Sequence, residues 1–403
     1  METRTIELGS VIRDIAAGPF GSNLKVSCFV DEGFPVIDGA NLKGYKVTDN
    51  LTKFVTEEKA RSLSRSIAHR GDVVVTISGT LGQIAYIPDD SQYEEYLCSQ
   101  RQFRVTFDTT KVYVPFLVFY FHTYEGQNKI LSFANQTGVP ALSQPLKNFK
   151  KITVSLPELK EQKRVAGIIE SLNDKIENNK KINDNLEQQA QSYFQELFVD
   201  NADPEWTTGT ISDLGVVVGG STPSKAKPEY YTESGIAWIT PKDLSINKSK
   251  FISHGENDIT ELGLKNSSAT IMPEGTVLFS SRAPIGYIAI AVGEVTTNQG
   301  FKSVVPKPEI GTPFVYFFLK HNLPIIEGMS SGSTFKEVSG STMKNITAVI
   351  PDADTLGRFS DFCAPIFAQQ RILEEQSQSL AALRDSLLPK LMSGEIDVSD
   401  IQL

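Results

Sequence analysis

An internal repeat with a period of about 200 residues constrains this chain more than any other feature. Residues 33–42 match residues 235–244, and residues 71–82 match residues 275–286, each without a gap. In the same order, 18–22 matches 219–223, 99–100 matches 298–299, and 137–149 matches 334–346. A chain with an internal duplication of this kind is expected to fold as two similar units.

Each copy carries short β-branched runs that are bounded by Gly and Pro, such as residues 72–77 and 277–280. This pattern is typical of buried strands joined by tight turns. Two apolar segments, 114–120 and 314–319, have a proline at their start and predict short helices in the same place of each copy. We therefore expect two mixed α/β (α+β) domains of roughly 150 residues, at 1–156 and 201–350.

A long amphipathic segment follows each domain, at 157–200 and 351–403, and the two segments align at a constant offset of 194 residues. Their apolar residues recur at the 3-4 spacing of a heptad seam. The predicted helix-helix interface consists of Val165, Ile168, Leu172, Ile176, Leu186, Leu197, Phe362, Ile366, Leu373, Leu380, Leu383, Leu387 and Leu391. Asn179, Gln369 and Gln376 interrupt this stripe, and a buried amide in a seam typically fixes the register.

A helix over residues 158–198 would be about 60 Å long, which exceeds the width of a small domain. We therefore expect the two helices to pair as an antiparallel coiled coil that separates two domains related by a pseudo-twofold axis. The alternative is that each helix simply lies on its own domain. Pro365 marks either the true start of the second helix or a kink in it.

Composition and charge set wide limits. No apolar run approaches the ~18 residues of a membrane span, and the polar N-terminal residues do not resemble a signal peptide. The three cysteines form no CxxC pair. We therefore expect a cytoplasmic protein. The net charge of −9 lies mostly in the two helical segments, whereas 1–156 and 201–350 have net charges of +1 and −2. Charge thus neither supports nor excludes binding to nucleic acid.

Signatures of catalysis and of cofactor binding are almost absent. The sequence has no GxxxxGK[ST] phosphate loop and no GxGxxG turn, and its four histidines are scattered. Residues 328–332 fit the GxSxG nucleophile elbow, but no histidine follows Ser330. A Gly/Ser loop is the better interpretation, and a hydrolase is a minor alternative that Ser330→Ala would test. We expect no metal and no cofactor on this chain.

Two tandem α/β units, each followed by a long helix, resemble the specificity subunits of type I restriction-modification systems. The similarity rests on residues 18–22, on 71–82, on 137–146 leading into 156–162, and above all on 383–396. One difference is that Asp352 to Thr355 replace the Glu-Gln pair that follows the proline in the first copy.

The resemblance implies a non-catalytic subunit whose two target-recognition domains each read one half of a bipartite site on double-stranded DNA. The helices would set the gap between the half-sites and dock two modification (methyltransferase) subunits, and restriction (helicase-nuclease) subunits would join them. S-adenosylmethionine, ATP and Mg²⁺ would then bind to these partners. The copies differ in most side chains, so we expect two unlike half-sites. The main alternative is an adaptor whose duplicated domains bind proteins.

Residues that could contact DNA follow from residue type and from the Gly-rich turns. Serine, threonine, lysine and backbone N–H groups beside such turns can position phosphates. These candidates are Ser22, Lys25, Ser78, Gly79, Thr80, Ser221, Lys225, Lys227, Ser281, Arg282, Thr334 and Lys336. Arginine pairs with guanine, and Asn or Gln with adenine. The candidate base readers are Arg61, Arg65, Gln100, Arg101, Asn298 and Gln299. For each one the alternative is a solvated surface residue or a turn former.

Overall fold

The chain folds into two compact units in a computed structural model that describes residues 3–135, 139–332 and 336–398. Unit 1 comprises Met1–Lys175 and Ser379–Leu403, and unit 2 comprises Ile176–Gln378. Each unit contains one copy of the repeat together with a part of each long helix.

Unit 1 contains three sheets, four short α-helices and a part of each of the two long helices among its described residues. Its strands are β1 (Thr3–Glu7), β2 (Ile12–Ala17), β3 (Phe29–Val30), β4 (Phe34–Ile37), β5 (Phe54–Val55), β6 (Ile67–His69), β7 (Val73–Thr76), β8 (Ile84–Tyr86), β9 (Glu95–Cys98), β10 (Gln102–Phe107) and β11 (Thr153–Pro157). Its helices are α1 (Glu57–Ser62), α2 (Val114–Phe121), α3 (Tyr124–Leu131), α4 (Pro145–Lys150) and the first part of α5 (Leu159–Gln195). The sheets have the orders β1-β11, β2-β10-β7-β8 and β3-β5-β4-β9-β6, and β4 and β9 run parallel.

Unit 2 repeats this plan. Its strands are β12 (Thr207–Thr210), β13 (Gly215–Gly219), β14 (Tyr231–Thr232), β15 (Ile236–Ile239), β16 (Phe251–Ile252), β17 (Asn257–Ile259), β18 (Val277–Ser281), β19 (Ile285–Ala291), β20 (Thr296–Thr297), β21 (Lys302–Pro306) and β22 (Thr347–Ile350). Its helices are α6 (Ile211–Leu214), α7 (Pro241–Ile246), α8 (Glu261–Lys265), α9 (Thr312–His321), α10 (Leu323–Gly328), α11 (Gly340–Lys344) and the first part of α12 (Ala353–Ser393). The sheet orders are β12-β22, β13-β21-β18-β19-β16 and β14-β17-β15-β20, and β15 runs parallel to β20 and β16 parallel to β19. The predicted duplication of a mixed helix-and-sheet fold is confirmed.

The main core of each unit forms around one predominantly apolar helix. Every residue of α2 is buried, and Phe314–Leu319 of α9 are buried in the same way. A helix that is apolar on all sides must be surrounded, and sheets and long helices cover both of these. In unit 1 the cover includes Val165 of α5 and Leu391 of α12. In unit 2 it includes Phe194 of α5 and Phe359 of α12.

The long helices run antiparallel to each other within each unit. In unit 2, Asn179 Nδ2 donates to Gln376 Oε1 at 2.8 Å, and Asn183 Nδ2 donates to Gln370 O at 3.4 Å. The partner residue number in α12 falls as the number in α5 rises, which defines the antiparallel direction. In unit 1, Arg384 Nη1 donates to Asn173 Oδ1 at 2.9 Å. The predicted pairing is therefore confirmed, although the helices also pack on the domains.

The predicted helix interface is partly out of phase in α12. Buried or half-buried predicted residues are Val165, Ile168, Leu172, Ile176, Leu186, Leu197, Ile366, Leu373, Leu380, Leu387 and Leu391. Phe362 is 39% exposed but contacts α5, with its ring centroid 4.5 Å from that of Tyr193. Leu383 is 46% exposed, and its place in the interface stays a prediction. Gln370 is buried in place of Gln369 of the predicted seam, and Cys363 is buried beside Phe362. The helix begins at Ala353, so Pro365 does not start it.

Candidate nucleic-acid interface

Each unit has a polar cleft beside the Gly-rich loop that follows its second strand, β2 or β13. Cleft 1, in unit 1, has a volume of about 690 Å³. It is lined by Leu24, Val26, Phe29, Asp38, Gly39, Ala40, Lys53, Thr76, Ser78, Gly79, Thr80, Gln83, Ser99, Gln100, Arg101 and Gln102. Cleft 2, in unit 2, has a volume of about 460 Å³. It is lined by Thr222, Lys225, Trp238, Thr240, Pro241, Lys242, Asp243, Glu256, Asn257, Arg282, Ala283, Asn298, Gln299 and Gly300.

The same glycine contact builds both clefts. Gly18 N–H donates to Gln102 O at 2.8 Å, and Gly220 N–H donates to Phe301 O at 3.4 Å. A Cβ atom at Gly18 would lie 1.9 Å from a carbonyl oxygen of the β9–β10 turn, and a Cβ at Gly220 would lie 1.9 Å from one in the β20–β21 turn. Only glycine permits this approach. Gly18 is therefore equivalent to Gly220, and the predicted match of Gly18 with Gly219 is wrong by one residue.

A glutamine tethers the loop in each cleft. Gln100 Nε2 donates to Gly21 O at 3.1 Å and also to Leu24 O. In unit 2, Gln299 Oε1 accepts a hydrogen bond from the Thr222 hydroxyl. Both glutamines were predicted to read bases, but these hydrogen bonds engage part of each amide in holding the loop.

An arginine reaches both clefts, but from different turns. In cleft 1, Arg101 comes from the β9–β10 turn, and its Nη1 lies 3.7 Å from where a Cβ of Gly79 would be. In cleft 2, Arg282 comes from the β18–β19 turn, beside Ala283, which is the sequence equivalent of Gly79. The position of Arg101 is Gly300 in unit 2, and that of Arg282 is Ser78 in unit 1. Each unit thus brings one guanidinium to the corresponding turn by its own route.

Both clefts are locally cationic although the chain is acidic. The charged residues that line cleft 1 are Asp38, Lys53 and Arg101, with a net charge of +1. Lys53 Nζ lies 2.6 Å from Asp38 Oδ2. Burial alone would raise the pKa of Asp38, but hydrogen bonds from Lys53 and from Ala40 N–H outweigh it and hold that pKa below its ordinary value. Arg101 is exposed and forms no ion pair with any described residue.

Cleft 2 has the same net charge of +1, from three basic and two acidic residues. Lys242 Nζ lies 2.5 Å from Glu256 Oε2. Arg282 is loosely paired, with Nη1 3.5 Å from Glu337 Oε2. Lys225 is exposed and has no ion pair within the described ranges. Arg101 in cleft 1, and Lys225 with the loosely paired Arg282 in cleft 2, could therefore meet a polyanion with little rearrangement.

Several candidates for DNA contact are already engaged by the protein. Arg61 lies 2.6 Å from Glu95 and 2.8 Å from Glu57, and these carboxylates raise its pKa. Ser281 is fully buried, with its N–H and its hydroxyl both donating to Gly300 O. Gly79 N–H donates to Pro140 O at 3.0 Å, so it is not free for a phosphate.

The remaining candidates divide by position. Ser78, Thr80, Lys225 and Asn298 line a cleft, although Asn298 Oδ1 accepts from Gly300 N–H at 2.8 Å. Exposed or half-buried residues outside the clefts are Ser22, Lys25, Arg65, Ser221, Lys227 and Lys336. Lys336 lines a neighbouring hollow of about 640 Å³ with Arg282. Thr334 lies outside the described residues. DNA contact by any of these residues stays a prediction.

Three features of the clefts were missed by the sequence analysis. Lys242 lies inside a matched block, so the repeat itself could have drawn attention to it. Lys53 has no sequence signal, because it reaches cleft 1 only through the pairing of β5 with β4. Exposed Phe20 lies in the recognised 18–22 motif, but it was not considered as a contact residue.

The described residues form neither a metal-binding cluster nor a membrane-spanning helix. No group of three or more His, Cys, Asp or Glu side chains in this part of the chain is placed to hold a metal ion. No helix within the described ranges is both long and apolar enough to cross a membrane.

Comparison with known proteins gives matches in both units. Residues 25–188 and 204–385 match a family model described as type I restriction modification DNA specificity domain. The chain is 40% identical over 191 residues to the type I restriction enzyme MjaIX specificity subunit of Methanocaldococcus jannaschii, covering 45% of this chain and 44% of that protein. It is 23% identical over 320 residues to the HindI specificity subunit of Haemophilus influenzae, covering 61% and 69%. The chain thus spans less than half the length of the first relative.

The fold is similar to that of a solved structure. The crystal structure of the type I restriction-modification system S subunit from M. genitalium matches with a TM-score of 0.60 and 16% identity. The match covers 97% of this chain and 96% of that one. At this identity the likeness concerns the fold alone.

Proposed function

We propose that this chain, which belongs to the type I restriction modification DNA specificity domain family, is the DNA-reading subunit of a type I restriction-modification complex. Each cleft reads one half of a bipartite site on double-stranded DNA. The observation that carries the proposal is the duplicated cleft, in which the same glycine contact and a guanidinium recur although the arginine comes from different turns. Because the two arginines come from different turns and still reach the same place in each cleft, we infer that the site requires a guanidinium group there.

The clefts offer the groups that DNA recognition uses. An arginine can pair with O6 and N7 of a guanine in the major groove, and a lysine can position a phosphate. Arg101 and Lys53 supply these groups in cleft 1, and Arg282 with Lys225 supplies them in cleft 2. The other lining residues differ between the clefts, so the two half-sites would be unlike and the whole site asymmetric.

The long helices would give the recognition its spacing. A paired helix of fixed length holds a fixed gap between two half-sites, whereas a flexible linker would not. The exposed faces of these helices would dock two methyltransferase subunits, and helicase-nuclease subunits would join that core. S-adenosylmethionine, ATP and Mg²⁺ would act on those partners, so this chain would contribute recognition rather than catalysis. The adaptor alternative is not favoured by the relatives.

Single substitutions in the two clefts test the proposal. In the complex with its methyltransferase subunits, Arg101→Ala should weaken binding to the cognate duplex by about 1–3 kcal/mol and relax the sequence preference of one half-site only. Arg282→Ala should do the same for the other half-site. Arg4→Ala removes an exposed arginine of unit 1 that does not line the cleft, and it should leave both preferences unchanged. Equal effects of all three variants, or no effect of any, would overturn the assignment of the clefts.

A further inference from the structure

Phe20 is an exposed aromatic residue at the rim of cleft 1. Its side chain is 84% exposed, between the buried Pro19 and Gly21 at the tip of the loop that follows β2. Val26, at the other end of this loop, is 86% exposed and lines the cleft. Keeping such apolar groups in water is unfavourable, and exposed apolar surface beside a binding cleft often marks a contact site.

The loop presents Phe20 in a fixed position. Gly18 anchors one side through its contact with the β9–β10 turn, and Asn23 N–H donates to Phe20 O at 2.7 Å across the tip. On the other side Gln100 binds the carbonyl of Gly21, and Leu24 is buried in a small apolar cluster. Because the loop backbone is held on both sides of Phe20, the ring is already placed for contact. Binding would therefore cost little ordering entropy.

Two cations, Arg101 and Lys147, line the hollow beside the Phe20 ring. Phe20 lines a hollow of about 690 Å³ that shares Ser78, Gln100 and Arg101 with cleft 1. Lys147 lines the same hollow, and none of the described residues that line it is acidic. The cations suit a polyanion, and the exposed phenyl and isopropyl groups of Phe20 and Val26 suit a ligand that also presents apolar groups. Duplex DNA combines both features, because the methyl group of thymine lies in its major groove.

Unit 2 lacks this feature. The register set by Gly18 and Gly220 places Thr222 at the position of Phe20. The Thr222 hydroxyl donates to Gln299, so this side chain is polar and has a partner in the protein. The exposed ring therefore belongs to one unit alone and would contribute to only one half-site.

We propose that Phe20 is a specificity-determining residue that contacts the 5-methyl group of a thymine in the half-site read by unit 1. This inference rests on the proposed function. Burying one methyl group is worth about a fourfold change in affinity. Phe20 would thus add a preference for thymine at one position, beside the contact made by Arg101.

The test uses the full chain in complex with its methyltransferase subunits and a pool of randomised duplexes. Wild type and Phe20→Ala are selected in parallel, and Tyr124→Ala serves as a control, because Tyr124 is also 86% exposed in unit 1 but lines neither cleft 1 nor the hollow. We expect Phe20→Ala to lose a thymine preference at one position of one half-site, and Tyr124→Ala to keep it. Deoxyuridine at that position should weaken wild-type binding about fourfold and leave Phe20→Ala unaffected.

Two outcomes would overturn the inference, and they are distinguishable from each other. If Phe20→Ala selects the wild-type motif and responds to deoxyuridine as wild type does, Phe20 does not read thymine although the proposed function holds. If 2-aminopurine beside the position brightens on binding wild type but not Phe20→Ala, the ring inserts between bases, and the thymine contact is wrong. If the wild-type complex selects no motif at all, the proposed DNA-reading function is wrong, and the inference about Phe20 is wrong with it.

Discussion

Replacing Glu187 by alanine should destabilise unit 2, because this carboxylate of α5 is the centre of a buried polar cluster. Glu187 Oε2 lies 2.8 Å from Lys250 Nζ, and Glu187 Oε1 lies 2.5 Å from Lys320 Nζ. The Tyr316 hydroxyl donates to the same carboxylate at 3.0 Å, and Gln370 of α12 donates to it at 3.3 Å. One side chain of α5 thereby connects the domain with both long helices.

The magnitude follows from the burial of Lys250, whose side chain is only 6% exposed. Its ammonium group lies 3.5 Å from the ring centroid of Phe367 and also donates to Gln370 Oε1 at 2.9 Å, so Glu187 is its only anionic partner among the described residues. Burial lowers the pKa of Lys250 to about 8, against the opposing effect of Glu187. Removing one partner of a buried ion pair typically costs about 3–5 kcal/mol, because the other charge is left uncompensated. We expect a loss of that size for Glu187→Ala.

Tryptophan fluorescence measures this loss selectively, since Trp206 and Trp238 are the only tryptophans of the chain and both lie in unit 2. With a urea dependence of about 2–3 kcal/mol per molar, the midpoint should fall by about 1–2 M. Asp184→Ala is the matched control, because Asp184 pairs with Lys180 on the exposed side of the same helix at 3.0 Å. That variant should cost less than about 1 kcal/mol. Equal losses in the two variants would refute the reasoning.

Two further predictions concern the glycine contact and acid stability. Gly18→Ala should lower the free energy of unfolding, measured by calorimetry, by about 1–3 kcal/mol, because the new Cβ would meet a carbonyl oxygen. Gly44→Ala should lower it less, because the space around Gly44 is open. Similar losses in the two variants would contradict the contact. Burial raises the pKa of Glu187, but Lys250 and Lys320 outweigh it and lower that pKa to about 2 from 4.5. The folded-state pKa is depressed, so the stability it contributes is present above pH 4.5 and is lost as pH falls towards 2. Urea midpoints of wild type should therefore fall more steeply than those of Glu187→Gln in this range; parallel curves would exclude this role.

The repeat and the helices could be predicted because their signals are local and periodic. Matched blocks located equivalent strands and turns, and the apolar 3-4 spacing located the helix pair. The phase of the second helix was wrong at Gln369, because the neighbouring Gln370 is the buried glutamine and neither side chain gives an apolar signal. A helix that packs on both a domain and a partner helix has a wide buried face, so spacing alone does not single out the contact residues.

The site was harder to predict than the fold. Residue type drew attention to Arg101 and Arg282, which line the clefts, but it could not separate them from Arg61, whose charge is neutralised by two glutamates. Ser281 sits in a motif that suggests a phosphate contact, yet its position at the end of a central strand buries it. Only tertiary packing places Lys53 in cleft 1 and Phe20 at its rim, so the sequence alone did not identify either residue as a contact candidate.

Selection of bound duplexes from a randomised pool, with the full chain in complex with the proposed methyltransferase subunits, tests the central claim most directly. The two clefts share a backbone plan but differ in their lining residues, so the account predicts two short, unlike motifs separated by a gap of constant length. Arg101→Ala and Arg282→Ala should each degrade a different one of these motifs. A single contiguous motif, a palindrome, or no enrichment of any sequence would contradict it.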